Sequence, residues 1–210
     1  MGRAVYEALA LAGCSTIPVD RSVCDITDEG QLDGLIGRIL DLHGAPDIIV
    51  HVAGGSLGIR DPLLPASEYL KVWRLNLGAA HDINRAFIPS MVNKGWGRIV
   101  HFSSNGVKLA TGNPPYTSSK GAVEAYVRTM SRIYSKHNVI ISAVSPGPID
   151  TPGLFLYSQS EEWTKAFHEK YVPMGRWGRA DEVAGAVALL CSQKASYMAG
   201  SIVDVDGGMR

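Results

Sequence analysis

Cysteine is scarce in this chain: Cys14, Cys24 and Cys191 are odd in number, scattered, and form no C-x-x-C pair. That argues against a disulfide framework, and the three are expected to stay reduced as small buried apolar residues of a cytoplasmic protein. The six histidines are equally scattered, so no metal site is expected. Charge of neither sign dominates, since twenty Lys and Arg face twenty Asp and Glu. Broad electrostatic capture of nucleic acid or of an anionic membrane is therefore not expected. No apolar run reaches membrane-spanning length, and the N-terminus lacks the basic-then-apolar layout of a signal peptide. Internal repeats and low-complexity segments are absent as well.

What remains is 210 residues in which short apolar runs alternate with helical patterns. That alternation predicts an α/β fold with a mostly parallel sheet, and the length suits one domain with a sizeable core. Helices are predicted over Ala4–Leu11, Asp28–Leu42, about Ser67–Met91, Tyr116–His137 and Ala180–Leu190. Strands are predicted over Ser15–Asp20, Asp47–Val52, Arg98–Phe102, Val139–Val144 and Ser201–Val205. Pro18 is awkward in the first of these, because it removes a ladder donor. Within the fourth helix Val123, Tyr126, Val127 and Met130 recur at core spacing.

One pair of residues points to chemistry. Tyr116 and Lys120 in Y-T-S-S-K are four apart, so on a helix they share one face. A phenol titrates near ~10 and is a poor acid or base at neutral pH. A lysine cation beside it favours the phenolate and brings it towards useful acid–base work. A serine hydroxyl from a neighbouring strand can hydrogen-bond the oxygen on which charge develops, and Ser103-Ser104 closes the apolar run before Tyr116. Standing alone, Y-x-x-x-K describes any helix start.

The surroundings resemble the short-chain dehydrogenase/reductase family over nearly the whole chain. In the family's order stand Gly2-Arg3, the tail of its glycine-rich turn, and Cys24-Asp25-Ile26-Thr27-Asp28, like D-[VI]-T-D. Then come His51-Val52-Ala53-Gly54-Gly55 at the place of N-N-A-G, and Asn76 in L-N-L-G. Ser104, Tyr116, Lys120 and the stretch Pro146-Gly147-Pro148-Ile149-Asp150-Thr151, like P-G-x-[IV]-x-T, complete the set.

The resemblance implies a Rossmann-like doubly wound parallel sheet, one domain over residues 1–210, with a substrate lid at about 151–178. It implies an NAD(P)-dependent oxidoreductase interconverting an alcohol and a ketone or aldehyde. Tyr116 would be the general acid/base, Lys120 would tune it and bond the nicotinamide ribose, Ser104 would polarise the carbonyl, and Asn76 would hold a relay water. Counting from Arg98 selects Ser104, whereas the family spacing of thirteen back from Tyr116 selects Ser103; the strand is the more rigid ruler. Gly2, Asp20, Asp25, Ile26, Ala53, Gly54, Pro146, Gly147, Ile149 and Thr151 would contact the cofactor. Asp20 would accept from the adenosine ribose and repel a 2′-phosphate, favouring NAD, with Arg21 beside it keeping NADP as the alternative. Turn capping is the competing role for both Asp20 and Asp25. Phe155, Leu156, Trp163, Phe167, Tyr171, Met174 and Trp177 would form an apolar lid, or else core and subunit contacts. A homotetramer or homodimer is expected from the family's packing of its long helices.

Several departures matter. His51 and Val52 replace two asparagines that support the strand end. The chain opens at a helix start, where the family has a first strand and a G-x-x-x-G-x-G turn. An internal methionine taken for the start explains this more simply than a shortened relative that has lost its cofactor turn. Two other readings stay open beside the main one. The first is a non-catalytic partner subunit without dinucleotide; the second is a 3-oxoacyl thioester reductase.

Overall fold

The computed structural model describes residues 1–152 and 160–209. It begins with helix α1 (Gly2–Leu11), then α2 (Glu29–His43), strand β1 (Ile48–His51), α3 (Ala66–Trp73) and a π-helical turn over Arg74–Gly78. There follow α4 (Ala79–Lys94), β2 (Gly97–Phe102), the short α5 (Gly106–Leu109), α6 (Pro114–Tyr134) and β3 (Val139–Pro146). Helices α7 (Glu161–Tyr171) and α8 (Ala180–Cys191) and strand β4 (Ile202–Val205) complete it. The strands lie side by side in the order β1-β2-β3-β4, all parallel. Parallel neighbours cannot be joined by a hairpin, so helical crossovers fill every gap between them.

Both central strands, β2 and β3, are buried at every position, which is why they read as unbroken apolar runs rather than alternating ones. Side chains leave successive strand residues on opposite faces. Val100, Phe102 and Val144 meet Val5 and Leu9 of α1 and Val183, Val187 and Leu190 of α8 on one face. Ile99, Ile141 and Ala143 meet Leu77, Ile88, Met91, Val123 and Val127 on the other. Helices on both faces make the sheet doubly wound, as the resemblance implies. The core spacing read on α6 holds, with Val123 and Val127 buried and Tyr126 and Met130 packed beside them.

Two expectations need correction. Residues Ser15–Asp20 form no strand; Ile17 and Val19 stay exposed, and the segment turns at Asp20, whose carbonyl accepts from Val23 and Cys24. Pro18 supplies no ladder donor, and a strand needs one. The helix expected over 67–91 is interrupted by the π turn, where Ala79 N–H reaches back to Arg74 O. A π turn leaves a carbonyl without its usual partner, and Asn76 is the residue that answers it. The lid residues Phe155 and Leu156 lie outside the described residues, and α7 is a helix the sequence pattern did not reveal. No helix among the described residues is long and apolar enough to cross a membrane.

Candidate active site

The candidate chemistry collects at the C-terminal edge of β2 and β3, where α6 begins. Asn113 caps α6 by accepting from Tyr116 N–H at 3.0 Å, and Pro114 and Pro115 follow as its first two residues. Proline there costs nothing, because those N–H groups have no helical partner, and its fixed φ prepays the helical conformation. Thr117 Oγ1 donates to Thr111 O at 3.0 Å, tying the preceding loop to the same turn. Tyr116 is therefore set on a stiff base.

One turn later Lys120 is buried, and its Nζ donates to Phe102 O at 2.6 Å. The ammonium lies 5.8 Å from the centre of the Tyr116 ring. Burial disfavours the cation and pulls Lys120 down to about 8. Ser104 follows β2 between two backbone ties, Ser103 N–H to Val144 O at 2.8 Å and Asn105 N–H to Pro146 O at 3.1 Å. The two serines make different bonds: Ser103 Oγ donates to Glu124 Oε1 at 2.8 Å, while Ser104 Oγ accepts from Gly106 N–H at 3.2 Å. With the Ser103 proton committed to Glu124, Ser104 holds the hydroxyl whose proton is not spent on a neighbouring carboxylate.

Asn76 stands behind these groups. Its Nδ2 donates to Gly55 O, Val72 O and Ser119 Oγ at 2.8, 3.0 and 3.0 Å, and its Oδ1 accepts from Gly55 N–H at 3.0 Å. Ser119 in turn donates to Tyr116 O at 2.7 Å. The π turn, the glycines after β1 and the start of α6 are thus pinned through one amide. A Cβ on Gly54 would come within 2.6 Å of Asn76 Oδ1 and 2.9 Å of Lys120 Nζ, so only glycine lets the backbone lie against both.

A cleft of about 120 Å³ opens here, lined by Met1, Val52, Gly54, Phe102, Ser103, Ser104, Tyr116, Lys120, Pro146 and Gly147. Of the residues expected to act, it gathers Gly54, Ser104, Tyr116, Lys120, Pro146 and Gly147, with Gly2 next to Met1 at its wall. A nicotinamide riboside half fits this lining. Lys120 brings an ammonium, and Ser104 and Tyr116 bring hydroxyls.

Other expected cofactor residues lie elsewhere in the chain's bonding. Asp20 accepts from Ser22 N–H and Oγ at 2.8 and 2.6 Å; Asp25 accepts from Thr27 N–H and Oγ1 at 3.0 and 2.6 Å and meets Arg21 at 3.5 Å. These hydrogen bonds lower both carboxyls below their ordinary values, and they are the turn-capping roles weighed for both residues. Ile26 packs against Leu32 and Leu35, and Ile149 is buried in the main core. Thr151 bonds Ile149 O at 3.3 Å, and Ala53 is not in the cleft wall. A larger hollow of about 830 Å³ along α7 contains none of the candidate catalytic residues.

Sequence reasoning missed a buried polar group beside the site. His51 Nε2 donates to Asn84 Oδ1 at 2.8 Å, and Asn84 Nδ2 donates to His101 Nε2 at 3.2 Å and to Tyr126 Oη at 3.3 Å. The two imidazole rings sit 4.5 Å apart. Burial lowers His51 to about 4 and His101 well below its usual value, with His51 and Lys120 adding to the shift in His101. A histidine on each of two adjacent strands was the available signal. Among the aromatics expected in a lid, Trp163, Tyr171 and Trp177 all pack around Phe167, with ring centres 5.1–5.3 Å away.

The family model described as Enoyl-(Acyl carrier protein) reductase matches residues 3–210. A 3-oxoacyl-[acyl-carrier-protein] reductase of Aquifex aeolicus is 29% identical, covering 100% of this chain and 92% of the relative. A galactitol 2-dehydrogenase of Rhizobium johnstonii is 30% identical, covering 99% of this chain and 90% of the relative. Among solved structures, a 7α-hydroxysteroid dehydrogenase complexed with NADH and 7-oxo glycochenodeoxycholic acid superposes with a TM-score of 0.80. It is 30% identical, covering 89% of this chain and 72% of its own. A tyrosine, a buried lysine and a serine converging at the carboxyl edge of a doubly wound sheet agree with those matches, and the chain belongs to the short-chain dehydrogenase/reductase family of NAD(P)-dependent oxidoreductases.

Proposed function

We propose that Tyr116, Lys120, Ser104 and Asn76 carry alcohol–carbonyl interconversion in this chain, with NAD preferred. The observation that supports it most is the convergence of Ser104, Tyr116 and Lys120 on one cleft beside Gly54. A nicotinamide cofactor supplies or removes the hydride. In reduction, Tyr116 Oη gives its proton to the carbonyl oxygen, and the Lys120 cation, bonded to Phe102 O, stabilises the phenolate left behind. Ser104 Oγ steadies the same oxygen as charge builds on it. Asn76 braces Gly54-Gly55 and α6 through its four hydrogen bonds.

The preference for NAD rests on Asp20, which uses one carboxylate oxygen on Ser22 and keeps a negative charge where a 2′-phosphate would be repelled. Arg21, the nearby cation, is paired with Asp25. Exposed Leu70 and Trp73 on α3 and Ile133 on α6 favour a homo-oligomer packed through these helices. The three free thiols accord with a reducing, cytoplasmic setting.

The test is a turnover assay of the purified chain with NADH and NADPH against ethyl acetoacetate, L-sorbose and cyclohexanone. Faster oxidation of NADH with at least one of them is the expected result. A folded chain that binds neither cofactor is instead a non-catalytic relative. Selectivity confined to ethyl acetoacetate points to the 3-oxoacyl reductase reading.

A further inference from the structure

Three successive turns of α6 grip the last residues of β2. Tyr116, Lys120 and Glu124 are spaced i, i+4, i+8 and so lie along one stripe. Tyr116 shares the cleft with Ser104, Lys120 Nζ holds Phe102 O, and Glu124 Oε1 holds the hydroxyl of Ser103. Glu124 is only 5% exposed, and its other oxygen accepts from Arg128 at 3.0 Å. A carboxylate is expensive to bury and must be hydrogen-bonded to be tolerated. Its neighbours Val123 and Val127 are apolar and fully buried, so an apolar residue would pack this position at less cost. What an apolar residue cannot do is hold the Ser103 hydroxyl.

We propose that Glu124 is a positioning residue of the catalytic centre. Braced by Arg128, it anchors Ser103, and because consecutive extended residues face opposite ways, that anchor aims Ser104 into the cleft opposite Tyr116. The proposal rests on the roles given to Ser104 and Tyr116 above. It goes further by assigning the neighbouring serine to orientation and by adding an acidic residue to the working face of α6. It also explains how two adjacent serines divide the work: one hydroxyl serves the acid on α6, the other the reacting oxygen.

The test compares Glu124→Ala, Glu124→Gln and Ser103→Ala in the full chain, with Tyr116→Phe and Ser104→Ala as references. Turnover and KM are measured with NADH and the best substrate among ethyl acetoacetate, L-sorbose and cyclohexanone, alongside thermal unfolding. Misaiming one catalytic group by a fraction of an ångström should lower kcat about ten- to a hundredfold in Glu124→Ala and Ser103→Ala. KM for NADH should stay unchanged, and Glu124→Gln, which keeps an oxygen for Ser103, should recover most of kcat. Ser103→Ala deletes a single hydroxyl and carries the test if Glu124→Ala does not fold. Parent-level kcat in Ser103→Ala overturns the proposal, even where the unfolding temperature falls. So does a Ser103→Ala loss as deep as that of Ser104→Ala, which would make Ser103 the catalytic serine. Full activity in Tyr116→Phe would instead overturn the functional reading beneath it.

Discussion

At the scale of single residues, the site works by committing most polar atoms to fixed partners and leaving few for the reaction. Lys120 shows this best, since one donor is spent on Phe102 O and burial holds the group at about 8. Its charge is present below that value and lost above it. Turnover in the reducing direction should therefore fall as pH rises through about 8, and Lys120→Met should be poorly active at every pH; a pH–rate profile reads both. Tyr116→Phe removes the proposed proton donor without emptying the space, so kcat should drop by about two to four orders of magnitude. NADH binding, followed by fluorescence, should persist. Gly54→Ala places a methyl against Asn76 and Lys120 and should abolish turnover while the circular dichroism stays that of a folded chain.

At the scale of elements, position comes from where helices start and bend. Asn113 both caps α6 and fixes Tyr116 N–H, so Asn113→Ala should cost about 1 kcal/mol of stability and lower kcat as well, measured by denaturant titration and turnover. The π turn before α4 needs its amide more. Asn76→Ala leaves part-buried backbone groups of Gly55 and the buried Val72 carbonyl without their partner, a loss of roughly 2–4 kcal/mol for several unsatisfied groups. These elements were only partly legible. Asparagine in the L-N-L-G stretch marked a place where helix rules bend, but the register of a π turn depends on which carbonyl Asn76 reaches, and that is set by Ser119 and Gly55 from other elements. The strand expected at Ser15–Asp20 failed for the opposite reason: local β-propensity at Ile17 and Val19 had no ladder to join, and Pro18 could not supply one.

At the scale of the whole molecule, the two histidines in the sheet make stability depend on pH. His51 titrates at about 4 when folded against an ordinary value of 6.5. Below 6.5 the unfolded chain therefore binds a proton that the folded chain refuses. Stability is full above that value and declines as pH falls towards 4, by about 2 kcal/mol from this one residue by pH 5. Urea midpoints at pH 7 and pH 5 should show the decline, and His51→Asn should reduce it to the share that His101 contributes. By itself the sequence determined the parallel α/β sheet and the family, and it put Tyr116 and Lys120 on one face of α6, because periodicity and short motifs are local and survive without knowledge of what packs where. Tertiary structure alone decided that Ser103 gives its hydroxyl to Glu124, that Asn76 braces α6 through Ser119, and that His51 and His101 share one asparagine. Each of those facts depends on a partner seventeen or more residues away in the chain, and such partners are chosen by packing rather than by the neighbouring sequence.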